Sequence, residues 1–170
     1  MNDPKDQVRD ILRKAYQIEV DGYTFYSMTA DQATHPAVQE LFEKLAKDEV
    51  EHKAYLKEIM KGVESKGAAA FALDRRTPDL KAFSDTIFTR KFREQAAGAS
   101  FEMGVLSVGM TLENNAIRLF SESAAQSGEQ EVKAFYQFLA DWEKQHFDAL
   151  QGLFSSVRED FWHAGGFAAF

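Results

Sequence analysis

The sequence predicts an all-α protein: an antiparallel four-helix bundle with a long crossover between its second and third helices and an internal two-fold hairpin repeat. Three observations predict it. Breakers are sparse, with only Pro4, Pro36 and Pro78 in 170 residues. Long stretches carry apolar residues at the 3.6-residue period of a helix with one buried face. And one offset, 94 residues, relates the two halves of the chain.

The first helix is predicted over 4–33. Asp3-Pro4 reads as N-cap and first helical position, because proline lacks the N–H that position would leave unpaired. Its apolar stripe is Val8, Ile11, Leu12, Ala15, Ile18, Gly22, Phe25, Tyr26 and Thr29. Thr34-His35-Pro36 restarts the chain, and the second helix is predicted over 36–63 with Val38, Leu41, Phe42, Leu45, Leu56, Ile59 and Val63 inward. The crossover spans 64–99, and within it Leu80–Gln95 reads as helical, with Phe83, Ile87 and Phe88 on one side. The third helix is predicted over 100–126, with Phe101, Val105, Val108, Leu112, Ala116, Phe120 and Ala124 inward. Ser127-Gly128 breaks it, and the fourth helix is predicted over 129–158 with Val132, Phe135, Leu139, Leu150 and Leu153 inward, leaving an aromatic tail over 159–170. Two short turns and one long connection are the signature of this bundle topology. Helices near thirty residues are about 45 Å long at 1.5 Å per residue. All of this fits one domain over 1–170.

Composition narrows the function. Apolar residues make up 45% of the chain, enough for a real core. No apolar run approaches the ~20 residues of a spanning helix, so no membrane partner is expected. The opening "MNDPKDQVRD" is polar and reads as no secretory signal, which points to the cytoplasm. The net charge of −7 argues against nucleic acid, and the short basic cluster Thr89–Glu94 reads as a solvated helix face. The absence of cysteine excludes disulfides and thiolate-held metals.

The chemistry lies in charges placed on the apolar stripes. In "KDEVEHKAYL", Lys47–Leu56, helical phase turns Glu49 and His52 inward and assigns Asp48 and Glu51 to solvent. Glu19 interrupts the first helix's stripe, Glu113 the third's, and Glu143 with His146 the fourth's. The offset of 94 relates Glu19 to Glu113, Glu49 to Glu143 and His52 to His146. It also pairs Ala30 with Ala124, Val38 with Val132, Leu45 with Leu139, Leu56 with Leu150 and Tyr26 with Phe120. One Glu-x-x-His on a charged helix is weak; two of them plus two further inward glutamates at a shared offset form a constellation. Four buried carboxylates are tolerable only if protonated or neutralised by cations. Two divalent ions balance their charge, and two neutral histidines complete the coordination. Glu at i and His at i+3 share one side of a helix, as two donors to one ion must. Mixed oxygen and imidazole donors suit iron or manganese, with zinc also accommodated.

These residues carry a family resemblance. "IEVDGYTFYSMTA", "DEVEHKAYL", "LENNAIRLFSESA" and "DWEKQHFDAL" resemble the four helices of rubrerythrin-like proteins in the ferritin-like superfamily. The resemblance implies a diiron carboxylate protein, often a homodimer, that reduces hydrogen peroxide or dioxygen with electrons from an external donor, or oxidises ferrous iron. It implies Glu19, Glu49, His52, Glu113, Glu143 and His146 as the metal ligands, and Tyr26 as a hydrogen-bond donor to a ligand carboxylate. Phe120, the counterpart of Tyr26, has no hydroxyl, so the two halves are expected to be tuned unequally. Two departures stand out. Rubrerythrin proper also carries a rubredoxin-like domain, and these 170 residues lack the cysteines for one. Its extra glutamate on the third helix is missing too, with Met110, Ala116 and Ile117 in the nearby places. The six-ligand set is similar to that of bacterioferritin, which raises an iron-handling alternative. A third reading is a metal-stabilised interaction module, for which the tail "EDFWHAGGFAAF" is the motive. His35 and His163 read as surface or capping residues.

Overall fold

A computed structural model of the chain describes residues 4–34, 36–66 and 100–164. They form four helices: α1, Pro4–Gln32; α2, Pro36–Lys66; α3, Ser100–Gln126; and α4, Gln130–Ala164. Pro4 and Pro36 each sit at the first helical position, where the fixed φ suits the helix and the missing N–H costs nothing. At the α3–α4 turn the Ser127 N–H donates to the Ser123 and Ala124 carbonyls, closing the last turn before Gly128. Among the described residues no helix is long and apolar enough to cross a membrane.

α1 packs along α2, α3 along α4, and α1 also meets α3. The core divides into two apolar clusters. One holds Leu12 and Ala15 of α1, Leu56 to Val63 of α2, Ala116 to Ala124 of α3 and Val132 to Trp142 of α4. The other holds Tyr26 and Ala30, Val38 to Ala46, Leu106, and Ala149 to Val157 from the same helices. These memberships make α1 antiparallel to α2 and α3 antiparallel to α4. They also place the start of α3 at the end of the bundle opposite to where α2 finishes, which is why a long connection is needed between them.

The repeat has a geometric meaning. Counterparts 94 residues apart fall in opposite clusters: Leu45 against Leu139, Leu56 against Leu150, Val38 against Val132, Tyr26 against Phe120. A pseudo-two-fold operation thus exchanges the two ends of the bundle, and its axis crosses the layer between the clusters.

Two expectations are corrected. On α3, Phe101 and Val108 are exposed, at 43% and 47%, while Glu102, Leu106, Gly109 and Glu113 face inward. Residues 101–112 carry apolar side chains on every face, so periodicity alone does not fix their rotation; packing against the other helices does. Glu102, buried among them, was not anticipated. And α4 runs on to Ala164, through residues expected to open the tail. The helix expected over 80–95, the basic cluster, Asp3, His35 and residues 165–170 lie outside the described residues, and so does the His163 side chain.

Leu45 and Leu139 are both fully buried counterparts. Changing either to alanine is expected to cost about 2–5 kcal/mol, with the two values close, in guanidinium unfolding of the metal-free protein.

Candidate metal centre

Between the two apolar clusters lies a polar layer. Glu19 of α1, Glu49 and His52 of α2, Glu113 of α3, and Glu143 and His146 of α4 are each at most 3% exposed. Helical spacing explains the arrangement: each carboxylate continues its helix's apolar face, and each histidine follows its glutamate by three residues. All six residues singled out in the sequence therefore meet in one place.

Their donor atoms form three triads, each with its atoms within 4.8 Å of one another: Glu19, His52 and Glu143; Glu113, Glu143 and His146; Glu49, His52 and His146. The first two triads share Glu143, so they describe two adjoining positions with a carboxylate in common. Glu49 lies between the histidines, one oxygen 3.4 Å from His52 Nδ1 and the other 3.7 Å from His146 Nδ1. His52 Nδ1 is 3.0 Å from Glu19 Oε2 and 3.8 Å from Glu143 Oε1. His146 Nδ1 is 3.6 Å from Glu113 Oε1. Oxygens of Glu19, Glu49 and Glu143 are buried with no hydrogen-bond partner among the described residues. Such groups are costly unless something else takes them up. Hard oxygen donors and imidazoles at this spacing could hold metal ions.

The surroundings are specific. The Tyr26 hydroxyl donates a hydrogen bond to Glu113 Oε1. Gly109 lies close to Leu150: a Cβ there would stand 3.1 Å from Leu150 Cδ1, and at ordinary contact, 3.5 Å, from Tyr26 Cε1. Gly22 leaves room for Glu49, whose carboxylate a Cβ at residue 22 would meet at 3.1 Å. A cavity of about 210 Å³ reaches the layer between α1 and α3. Repeat counterparts face each other across it: Ile18 with Leu112, Asp21 with Asn115, Glu19 with Glu113. The cavity therefore sits on the pseudo-two-fold axis.

Asp48 does not simply face solvent as the sequence suggested. Its side chain is 14% exposed and one oxygen lies 3.7 Å from His146 Nε2. Position 48 is three residues after Leu45 and four before His52, hence on the edge of the stripe, and that spacing was a usable signal. Trp142, its counterpart, is buried and lies flat on the His52 ring, with centroids 3.9 Å apart and planes at 27°. Glu51 is exposed, as expected.

Crowding shapes the proton inventory of the metal-free chain. Burial, then the neighbouring Glu19 carboxylate, push Glu49 and Glu143 well above the ordinary carboxylate range. Burial pulls the histidines down, but Glu19 beside His52, and Asp48 and Glu113 beside His146, overcome it and hold both above their usual value. Burial also raises Glu19, yet the positive charge on His52 outweighs it and leaves Glu19 low. Burial and the Glu113 charge raise the Tyr26 hydroxyl.

These directions set a pH dependence. The raised groups keep protons in the folded chain that the unfolded chain loses above 4.5 for the carboxylates and 6.5 for the histidines. Their effect is to lower stability as pH rises. Glu19 acts in the opposite sense, but its contribution is already complete above 4.5 and is lost only as pH falls below that. The urea midpoint of chelator-treated protein is therefore expected to fall between pH 5.5 and pH 8.5, measured by circular dichroism.

The family model described as Rubrerythrin matches residues 10–154, which include every residue of the polar layer. Comparison with curated proteins and with solved structures gave no match. The match extends over most of the chain and spans all four helices, and the chain belongs to the rubrerythrin family.

Proposed function

We propose that the polar layer holds two iron ions and that the protein is a non-haem diiron oxidoreductase. It reduces hydrogen peroxide, dioxygen or both, with electrons from an external donor. The observation that carries this reading is the pair of donor triads sharing Glu143, buried in the bundle and reached by a small cavity. Four carboxylates and two divalent ions sum to zero charge, which resolves the burial of the layer. Ferrous iron, when bound, supplies the two electrons that convert peroxide and two protons to water, or dioxygen and two protons to peroxide.

The chain's own residues have separable tasks. Glu19 and His52 would hold one ion and Glu113 and His146 the other, with Glu49 and Glu143 available to both. Tyr26 fixes the rotation of the Glu113 carboxylate. Ile18 and Leu112 put apolar side chains into the cavity wall beside the carboxylates, and its volume admits a diatomic or peroxide-sized molecule. The protons that Glu49, Glu143 and the histidines carry must leave when metal enters, so metal uptake is linked to proton release. No cysteine lies in the 170 residues, so the electrons are proposed to come from a donor outside them. A homodimer is the assembly we propose. The same donors accept manganese or zinc, and metal analysis decides among them.

A second reading, ferrous oxidation and iron handling, is favoured by one feature: the donor set is the same in both halves, with Met110, Ala116 and Ile117 where a further carboxylate near Glu113 would stand. It requires a large assembly retaining many irons per chain; a native mass near that of a dimer overturns it.

Protein purified without added metal is expected to contain two irons per chain with an oxo-to-iron charge-transfer band. Glu49→Ala with His52→Ala is expected to lose that iron; full retention would refute the site. Gly22→Ala is expected to weaken metal binding roughly tenfold while leaving helicity unchanged, because the new methyl displaces Glu49. Stopped-flow mixing of the ferrous protein with peroxide and with oxygen is expected to show rapid stoichiometric oxidation by at least one; slow, non-stoichiometric oxidation by both rejects the reading.

A further inference from the structure

The two metal positions are related by the repeat, but what backs them is not. We propose that they are unequal by construction. The position of Glu113 and His146 fills first and holds its ion tightly, the position of Glu19 and His52 is the exchangeable one, and Asp48 and Trp142 set the difference. The proposal rests on the dimetal reading above.

Residues 48 and 142 are repeat counterparts, and each lies against the histidine of the opposite hairpin. Both histidines present Nδ1 to the glutamates. A neutral imidazole that binds metal through Nδ1 carries its proton on Nε2. At His146 that N–H meets the Asp48 carboxylate. The separation is 3.7 Å, within ion-pair reach, and this Asp48 oxygen is buried. A carboxylate in that place fixes the tautomer and ring orientation and raises the basicity of the metal-binding nitrogen. At His52 the counterpart is an indole, which has a donor and no acceptor. It stacks on the ring, and His52 Nε2 is buried with no hydrogen-bond partner among the described residues.

A further observation falls on the same side. Tyr26 fixes Glu113, whereas Phe120, its counterpart, has no hydroxyl to offer. Asp48 and Tyr26 both favour the Glu113–His146 position. Asp48 is thus a positioning residue, acting on the metal through His146.

The test is titration of the metal-free full chain with cobalt(II), followed by calorimetry and by visible absorption. The wild type is expected to show two steps, the first roughly 10–100-fold tighter than the second. Asp48→Ala is expected to weaken the first step by about the same factor and leave the second within about threefold, and Asp48→Asn to recover part of the loss. Trp142→Asp, if it keeps its helicity, is expected to tighten the second step. Two equal steps in the wild type overturn the inequality and leave the dimetal reading standing. An Asp48→Ala effect on the second step alone, or equally on both, overturns the assignment to His146. A wild type that binds no cobalt removes the dimetal reading itself.

Discussion

Four carboxylates buried in one layer are the constraint to which the rest of this bundle answers. Left ionised and unpaired, each would cost several kcal/mol, and together they would repel one another as well. In the metal-free chain burial and the neighbouring carboxylates raise Glu49 and Glu143, and the carboxylates raise both histidines, all of which lessens the net negative charge of the layer. Cations placed among the same groups would solve the problem more completely. The apolar clusters on either side of the layer supply the stability that makes such a polar section tolerable, and they keep water from screening it.

Duplication gives the layer its shape. One helical hairpin carrying an inward glutamate on its first helix and Glu-x-x-His on its second, used twice about a two-fold axis, yields six donors around a common centre. It also places a cavity on that axis, because the same side chains recur on both walls. The departures from symmetry are as informative as the symmetry. Tyr26 against Phe120 and Asp48 against Trp142 leave the six donors alike while changing what stands behind them. The family match over residues 10–154 covers the shared frame and all four of these positions.

Glycine has a local role in this frame. Gly22 sits where α1 passes close to Glu49, and Gly109 where α3 passes close to Leu150. At Gly22 the missing methyl leaves room for a carboxylate of the polar layer, so that there helix spacing and site geometry are the same question.

Much was legible from the sequence alone. Periodicity located the helices, because burying one face of a long helix requires apolar residues every three or four positions. Charges interrupting that period at a constant offset of 94 singled out Glu19, Glu49, His52, Glu113, Glu143 and His146, since chance does not align three pairs so. The rotation of α3 was not legible, because residues 101–112 carry apolar side chains on every face and only contact with the other helices decides which face is inside. Nor were Asp48 and Trp142 assigned to the site. Their position along the helix was known, but which histidine each faces depends on how α2 and α4 lie against each other. Sequence spacing determines which side chains share a face of one helix; only the packing of helices determines which group on another helix that face will meet.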